Sequence, residues 1–312
     1  MASIETATLA RALAIMAIVS THLNFFDYGG GGAFTLFVVA GMSFAAFTLP
    51  DILSKGDISA LLSLFFRIAG LTLTFILFGY VVTGRGEWPA FLLISNYMSP
   101  ETEGSVWFVE VYLQTLIVLG CVLSFRSVRS VLQRHASLVA TMAAAGLLAV
   151  TAISDALVDL NHLYRRLPHL LAWQFCLGLA IAFSTTRMNR AVLTGLLAFG
   201  HWQYAGYGLP SVWFFPICVL LLIWCPEVPV PHFMRPIIRM VAGASLVIYL
   251  SHFQIAALVE KLVGTPEAWL VVLVALAGGV LLWRLYHPID LWMNRRLRVL
   301  FAPARWKVSK GN

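Results

Sequence analysis

An arginine and a histidine, Arg11 and His22, share one long apolar segment near the start of the chain. Eleven steps along a helix of 3.6 residues per turn make almost three whole turns, so both side chains fall on one face, about 16 Å apart along the axis. Ionisable groups inside a bilayer are costly, which makes each of them a functional candidate. A guanidinium pairs with phosphate. An imidazole changes charge near neutral pH and suits proton abstraction from a hydroxyl. Arg67 lies about two turns inside the third apolar segment and falls near the depth of Arg11, so the two cations predict a hold on a diphosphate that enters from the cytoplasm. Towards the opposite side, Trp107 and Glu110 open the fourth segment, and Tyr249 and His252 lie in the ninth. His252 stands about as far from the inner end of its helix as His22 does, which puts two histidines and a carboxylate at comparable depth on three helices.

These residues have plainer readings too. Either arginine could snorkel to the inner headgroups. His22 could make an ordinary helix–helix hydrogen bond, Trp107 could belong to an interfacial aromatic belt, and Glu110 could be solvated at a helix mouth. The two-sided pattern, with cations near the cytoplasm and His and Glu nearer the outside, suits a phosphate-bearing donor on one side and a hydroxylated acceptor on the other. Charge alone fits a catalyst and a proton-coupled transporter or flippase equally.

The elements that must position these groups are apolar helices. Of 312 residues, 60% are hydrophobic and 11% charged, with a mean hydropathy of +0.85. Soluble domains carry about 25% charged residues, so this composition requires lipid around most of the chain. An all-α, polytopic membrane protein is expected, with about ten spans at residues 9–26, 33–49, 60–82, 104–125, 136–158, 169–184, 190–202, 211–225, 239–260 and 267–283. Residues 1–290 form the transmembrane domain and 291–312 a basic cytoplasmic tail. The first segment lacks a basic leader and a small-residue cleavage site, and reads as a retained helix. The formal charge of +7 sits in short loops and the tail, where it sets orientation and meets anionic lipid. No nucleic-acid module is present. Lys55, Arg126, Arg129, Arg134, Arg187, Arg190, Arg235 and Arg239 lie in the even-numbered connections, and Asp27, Glu87, Glu101, Glu103 and Asp159 in the odd ones, whose main basic exceptions are Arg85, Arg165, Arg166 and Lys261. That bias predicts ten spans with both termini cytoplasmic. Cys121, Cys176, Cys218 and Cys225 lack metal-ligand or redox spacing and read as packing residues. The aromatic stretch 202–213 could stack on sugar rings or anchor at the interface.

Several of these segments together resemble the membrane acyltransferase 3 family. Arg11 and His22 are similar to its Arg-x10-His signature. Residues 29–32 and the helix from Phe34 to Phe44 look like its Gly-rich turn and following helix. Arg67 is similar to an arginine of its third helix, residues 105–112 resemble its Trp-containing segment, and residues 245–253 resemble its late Tyr- and His-bearing segment. The order and rough spacing of all five pieces match. Two details depart from the pattern. Glu110 follows Trp107 by three residues where many members have five, and Leu64 and Phe65 stand where a second arginine usually precedes Arg67. No hydrolase-like domain follows the helices, which predicts a stand-alone member.

The resemblance implies acyl transfer, usually acetyl, from cytoplasmic acyl-CoA to a hydroxyl of an extracytoplasmic or lipid-linked glycan, in a bacterial inner (cytoplasmic) membrane. It implies His22 as the catalytic base with Glu110 beside it, Arg11 and Arg67 on the donor, and Trp107, Tyr249 and His252 around the acceptor. Acetyl-CoA is then a substrate rather than a resident cofactor, and the chemistry needs no metal. A covalent acyl-histidine is an alternative course.

Overall fold

The computed structural model describes residues 2–26, 31–84, 88–98, 106–157, 166–205 and 213–301. It is all-α apart from two short strands, as the long apolar segments predict. In chain order the elements are β1 (Ala2–Glu5), α1 (Thr6–His22), α2 (Gly32–Ser43), a π-helical turn (Phe44–Thr48), α3 (Leu49–Lys55), α4 (Ser59–Thr83), the short α5 (Trp88–Phe91) and α6 (Ser95–Met98), α7 (Trp107–Ser124), α8 (Arg126–Leu157), α9 (Pro168–Ala182), α10 (Arg187–Ala205), α11 (Phe214–Trp224), β2 (Glu227–Val230), α12 (Met234–Val263) and α13 (Ala268–Leu300).

Among the described residues, six stretches are long and apolar enough to cross a membrane: Gly32–Lys55, Ser59–Val81, Trp107–Ser124, Arg126–Leu157, Met234–Val263 and Ala268–Leu297. Thr6–His22, Pro168–Ala182 and Phe214–Trp224 are shorter apolar helices. The outward faces are apolar as well. Leu77, Val118, Leu138, Met142, Ile153, Leu273 and Leu281 are all exposed, a surface that suits lipid and not water.

Several boundaries differ from the sequence expectation. Residues 126–134, expected as a basic connection, are helical and run into α8, with the break at His135 (φ −136°, ψ 39°). The expected 190–202 element extends to Arg187–Ala205, and α13 continues past residue 290 to Leu300, into the segment expected as tail. The second span is interrupted by the π turn. Pro50 follows that turn, and a proline both lacks an N–H and crowds the carbonyl four residues earlier, here that of Ala46.

One small element explains why the two histidines meet. β1 pairs antiparallel with β2 in the register Ala2↔Val230 to Glu5↔Glu227. The Thr6 amide donates to the carbonyl of Pro226 at 2.9 Å, and its hydroxyl donates to the carbonyl of Cys225. The starts of α1 and α12 and the end of α11 are thereby held at one level. From there α1 needs 16 residues to reach His22 and α12 needs 18 to reach His252, a rise of about 25 Å in each case. The two helices pack side by side, with α1 also against α2.

Candidate functional site: a two-arginine cavity below a histidine pair

Arg11 leaves the second turn of α1 and donates from Nη2 to Ser43 Oγ at 2.5 Å. Ser43 in turn donates to the carbonyl of Val39 at 2.8 Å. Ser43 is the last residue of α2, so the π turn begins beside the arginine. Arg67, on α4, donates from Nε to Asp290 Oδ1 of α13 at 3.1 Å. Both arginines line a single cavity of about 390 Å³, with Ser43, Tyr112, Tyr249 and Asn294 among its other walls. That size lies within the roughly 300–1,000 Å³ of small-molecule sites. Phe44, Phe47 and Thr48 also face it, so the π turn shapes one wall, a common position for such turns. The sequence expectation that Arg11 and Arg67 share a depth thus becomes a shared chamber. Tyr249, expected on the acceptor side, lines this same chamber. Its hydroxyl is buried.

Beyond Tyr249 lies the histidine pair. His22 Nδ1 and His252 Nε2 are 2.9 Å apart, and His252 Nδ1 is 2.6 Å from the carbonyl oxygen of Tyr249. A carbonyl oxygen can only accept, so His252 carries its proton on Nδ1. His252 Nε2 is then a bare lone pair, and the 2.9 Å contact requires His22 to donate from Nδ1. The remaining nitrogen, His22 Nε2, is left unprotonated and basic. His252 is 1% exposed and His22 half-buried, so the inner ring is fixed and the outer one is reachable. Phe253 stacks on His22 at 5.3 Å between ring centroids and holds the imidazole plane.

Glu110 does not join this pair. It is fully buried at the start of α7, where its carboxylate accepts from the Ser95 amide at 3.0 Å, the Asn96 amide at 2.8 Å and the Ser95 hydroxyl at 2.8 Å. Orientation of His22 therefore falls to His252 and not to Glu110. The carboxylate satisfies the free amides at the start of α6, which a short helix cannot satisfy itself. Asn96 and Gln114 exchange two amide bonds at 3.0 Å, and Gln114 also bonds the carbonyl of Leu93, a non-glycine residue at φ 57°. Asn96 further donates to the carbonyl of Arg166 at 3.0 Å. The Arg166 guanidinium lies 5.3 Å from the ring centroid of Trp107, within electrostatic reach of His22 and Tyr249. Trp107 thus carries a cation and is absent from the cavity wall.

This network makes Glu110 a structural linchpin. Glu110→Ala leaves two buried amides and a hydroxyl without acceptors, at about 1–3 kcal/mol per group. The variant is expected to unfold at a clearly lower temperature in detergent, with Glu110→Gln in between because its amide nitrogen cannot accept. A thermal unfolding series checks this, and an unchanged midpoint for Glu110→Ala contradicts it.

Nothing in the sequence marks Asp290, Ser95, Asn96 or Arg166 as a site residue. The one available signal was that Asp290 is the only acid among the basic residues at the end of the chain. Residues 29–30 of the Gly-rich turn, residues 104–105, and positions 206–212 of the aromatic stretch lie outside the described residues, as do Asp27, Glu87, Glu101, Glu103 and the last part of the basic tail. Comparison with family models, with curated proteins and with solved structures returns no match for this chain.

Proposed function

We propose that the protein is a ten-pass membrane O-acyltransferase with both termini cytoplasmic, which moves an acetyl group from cytoplasmic acetyl-CoA to a hydroxyl of an extracytoplasmic or lipid-linked glycan. The observation that carries this reading is the alignment of three features. Two arginines share a cavity, Tyr249 forms part of its wall, and the carbonyl of that same tyrosine fixes the tautomers of a histidine pair. The strand pairing at the starts of α1 and α12 and the basic bias of alternate connections favour the ten-pass arrangement.

In this mechanism Arg11 and Arg67 hold the diphosphate of the donor, and the pantetheine arm reaches through the cavity towards Tyr249. The acceptor hydroxyl meets His22 Nε2, which takes its proton as the oxygen attacks the thioester carbonyl. The tetrahedral intermediate collapses with cleavage of the C–S bond. The departing thiolate takes the proton from His22, leaving the O-acyl product, free CoA and a neutral histidine. His252 accepts the Nδ1–H of His22 throughout and keeps the basic nitrogen aimed at the acceptor.

Acetyl-CoA labelled in the acetyl group, offered to purified protein with isolated surface glycan, tests the reading. Label appearing in the glycan fraction supports it. Glycan transport into vesicles without acyl-CoA, and no label transfer, replaces it with a carrier. Arg11→Ala removes one charged contact to phosphate, worth roughly 1.5–3 kcal/mol, so the KM for acetyl-CoA is expected to rise by about tenfold or more. A KM within twofold of the parent protein removes Arg11 from the donor site.

A further inference from the structure

The pairing of Arg67 has a consequence for how the cavity admits a ligand. Arg67 and Asp290 are only partly exposed, at 29% and 24% of their side-chain surface, and their contact is 3.1 Å. One turn further along α13, Asn294 lines the cavity and accepts from the Ser63 hydroxyl at 3.4 Å, and Ser63 also lines it. The last turns of α13 therefore lie across the end of the chamber that Arg67 marks. Pro288 lies two residues before Asp290. It removes the helix bond to the Arg284 carbonyl, so these last turns join the rest of α13 through a weakened turn.

We propose that Asp290 is an internal substitute for phosphate, which occupies Arg67 in the empty protein and is displaced when a polyphosphate ligand enters the cavity. This inference rests on the donor site proposed above and adds how that site selects. A carboxylate offers one negative charge and two oxygens. A diphosphate offers more charge and more acceptor oxygens to a guanidinium that has five N–H donors. A polyphosphate can therefore win Arg67 from Asp290, and a free carboxylate cannot. Asp290 acts through Arg67, so it is a positioning residue that sets selectivity and touches no reacting atom.

The test is equilibrium binding of CoA, of inorganic pyrophosphate and of citrate to the detergent-solubilised full chain. Asp290→Asn keeps the size of the side chain and removes the competing charge. It is expected to tighten CoA and pyrophosphate by roughly twofold to fivefold, the range of a partly exposed ion pair, and to open the site to citrate. Asp290→Glu, which keeps the charge, is expected to bind all three as the parent protein does. Asp51→Asn, at a surface pair with Lys55, is the control and leaves binding unchanged. In steady-state assays the Asn variant lowers KM for acetyl-CoA without raising kcat. Weaker or unchanged binding of pyrophosphate in Asp290→Asn overturns the proposal, even where CoA binds the parent protein well. If Asp290→Asn does not fold, the Glu variant decides, since loss of CoA binding there shows a structural role only. If CoA and pyrophosphate bind none of the folded proteins, the donor site itself is wrong and this inference falls with it. If pyrophosphate responds as expected and no acyl transfer occurs, the anion switch stands and the transferase reading fails.

Discussion

Replacing His22 with alanine is expected to lower acyl transfer by about 10²–10⁴-fold, the usual contribution of a positioned general base, while the protein stays folded. The expectation follows from a chain of hydrogen bonds with one direction. The Tyr249 carbonyl forces the proton of His252 onto Nδ1, His252 Nε2 then forces the proton of His22 onto Nδ1, and His22 Nε2 is left free. No step depends on a charged partner, so the pair presents a neutral base at rest. Folding is expected to survive because His22 is the last residue of α1 and half-buried, and the helix is held elsewhere by Arg11–Ser43 and by β1.

His252 makes a sharper companion test. His252→Ala leaves His22 in place but frees its tautomer and ring orientation. Transfer should fall by a smaller factor, about tenfold or more, with the KM for acetyl-CoA nearly unchanged. Single-turnover transfer of labelled acetyl groups measures both variants, with thermal unfolding as the check on folding. Transfer at the parent rate in a folded His22→Ala protein would falsify the base assignment. An acyl group retained on parent protein that has been denatured, and absent from His22→Ala, would replace direct attack with a covalent acyl-histidine.

The parts of this site that could be read from the sequence were those set by helical arithmetic. Arg11, Arg67, His22 and His252 lie in apolar segments, so depth follows from position and 1.5 Å per residue, and the structure brings each pair together. Glu110 is expected at that depth as well, but its carboxylate bonds the start of α6 and not the histidine pair. Its partner, α6, has only four residues and no apolar period, so nothing in the sequence showed free amides above the carboxylate. Asp290 was hidden for another reason. The last apolar span ends by its hydropathy at residue 283, yet α13 continues to Leu300 and brings Asp290 to Arg67. The strand pair was equally hidden. Four-residue strands with a proline at 229 have little signal of their own, and their pairing exists only because α1, α11 and α12 bring the segments together. In each case at least one partner of the missed contact lies in a short or polar segment, where periodicity carries no information.

The crossing of α2 and α9 yields the largest expected effect on folding. A Cβ placed on Gly41 would lie 2.0 Å from the carbonyl oxygen of Phe175, and one placed on Gly178 would lie 2.0 Å from that of Val38. Each glycine therefore faces the backbone three residues before the other, and the two helices touch main chain to main chain. Neighbouring backbone cannot rotate away as a side chain can, so Gly41→Ala must separate the helices. Overpacking of a core costs about 1–3 kcal/mol even where side chains can adjust, and the rigid crossing places this variant at or above the top of that range. The damage extends to the donor site. Gly41 lies two residues before Ser43, so displacement of α2 pulls the hydroxyl from Arg11 and shifts the cavity wall at Phe44. Gly41→Ala should both unfold earlier in detergent and bind CoA more weakly. Gly70 in α4 gives the contrast, because a Cβ there meets nothing within 4 Å. Gly70→Ala removes chain entropy from the unfolded state at no steric cost, and is expected to stabilise by about 0.5–1 kcal/mol. Opposite shifts in the two midpoints place the effect at the crossing and not in glycine replacement as such. Equal shifts would mean that α2 and α9 do not approach so closely, and that the Arg11–Ser43 bond is not held by that crossing.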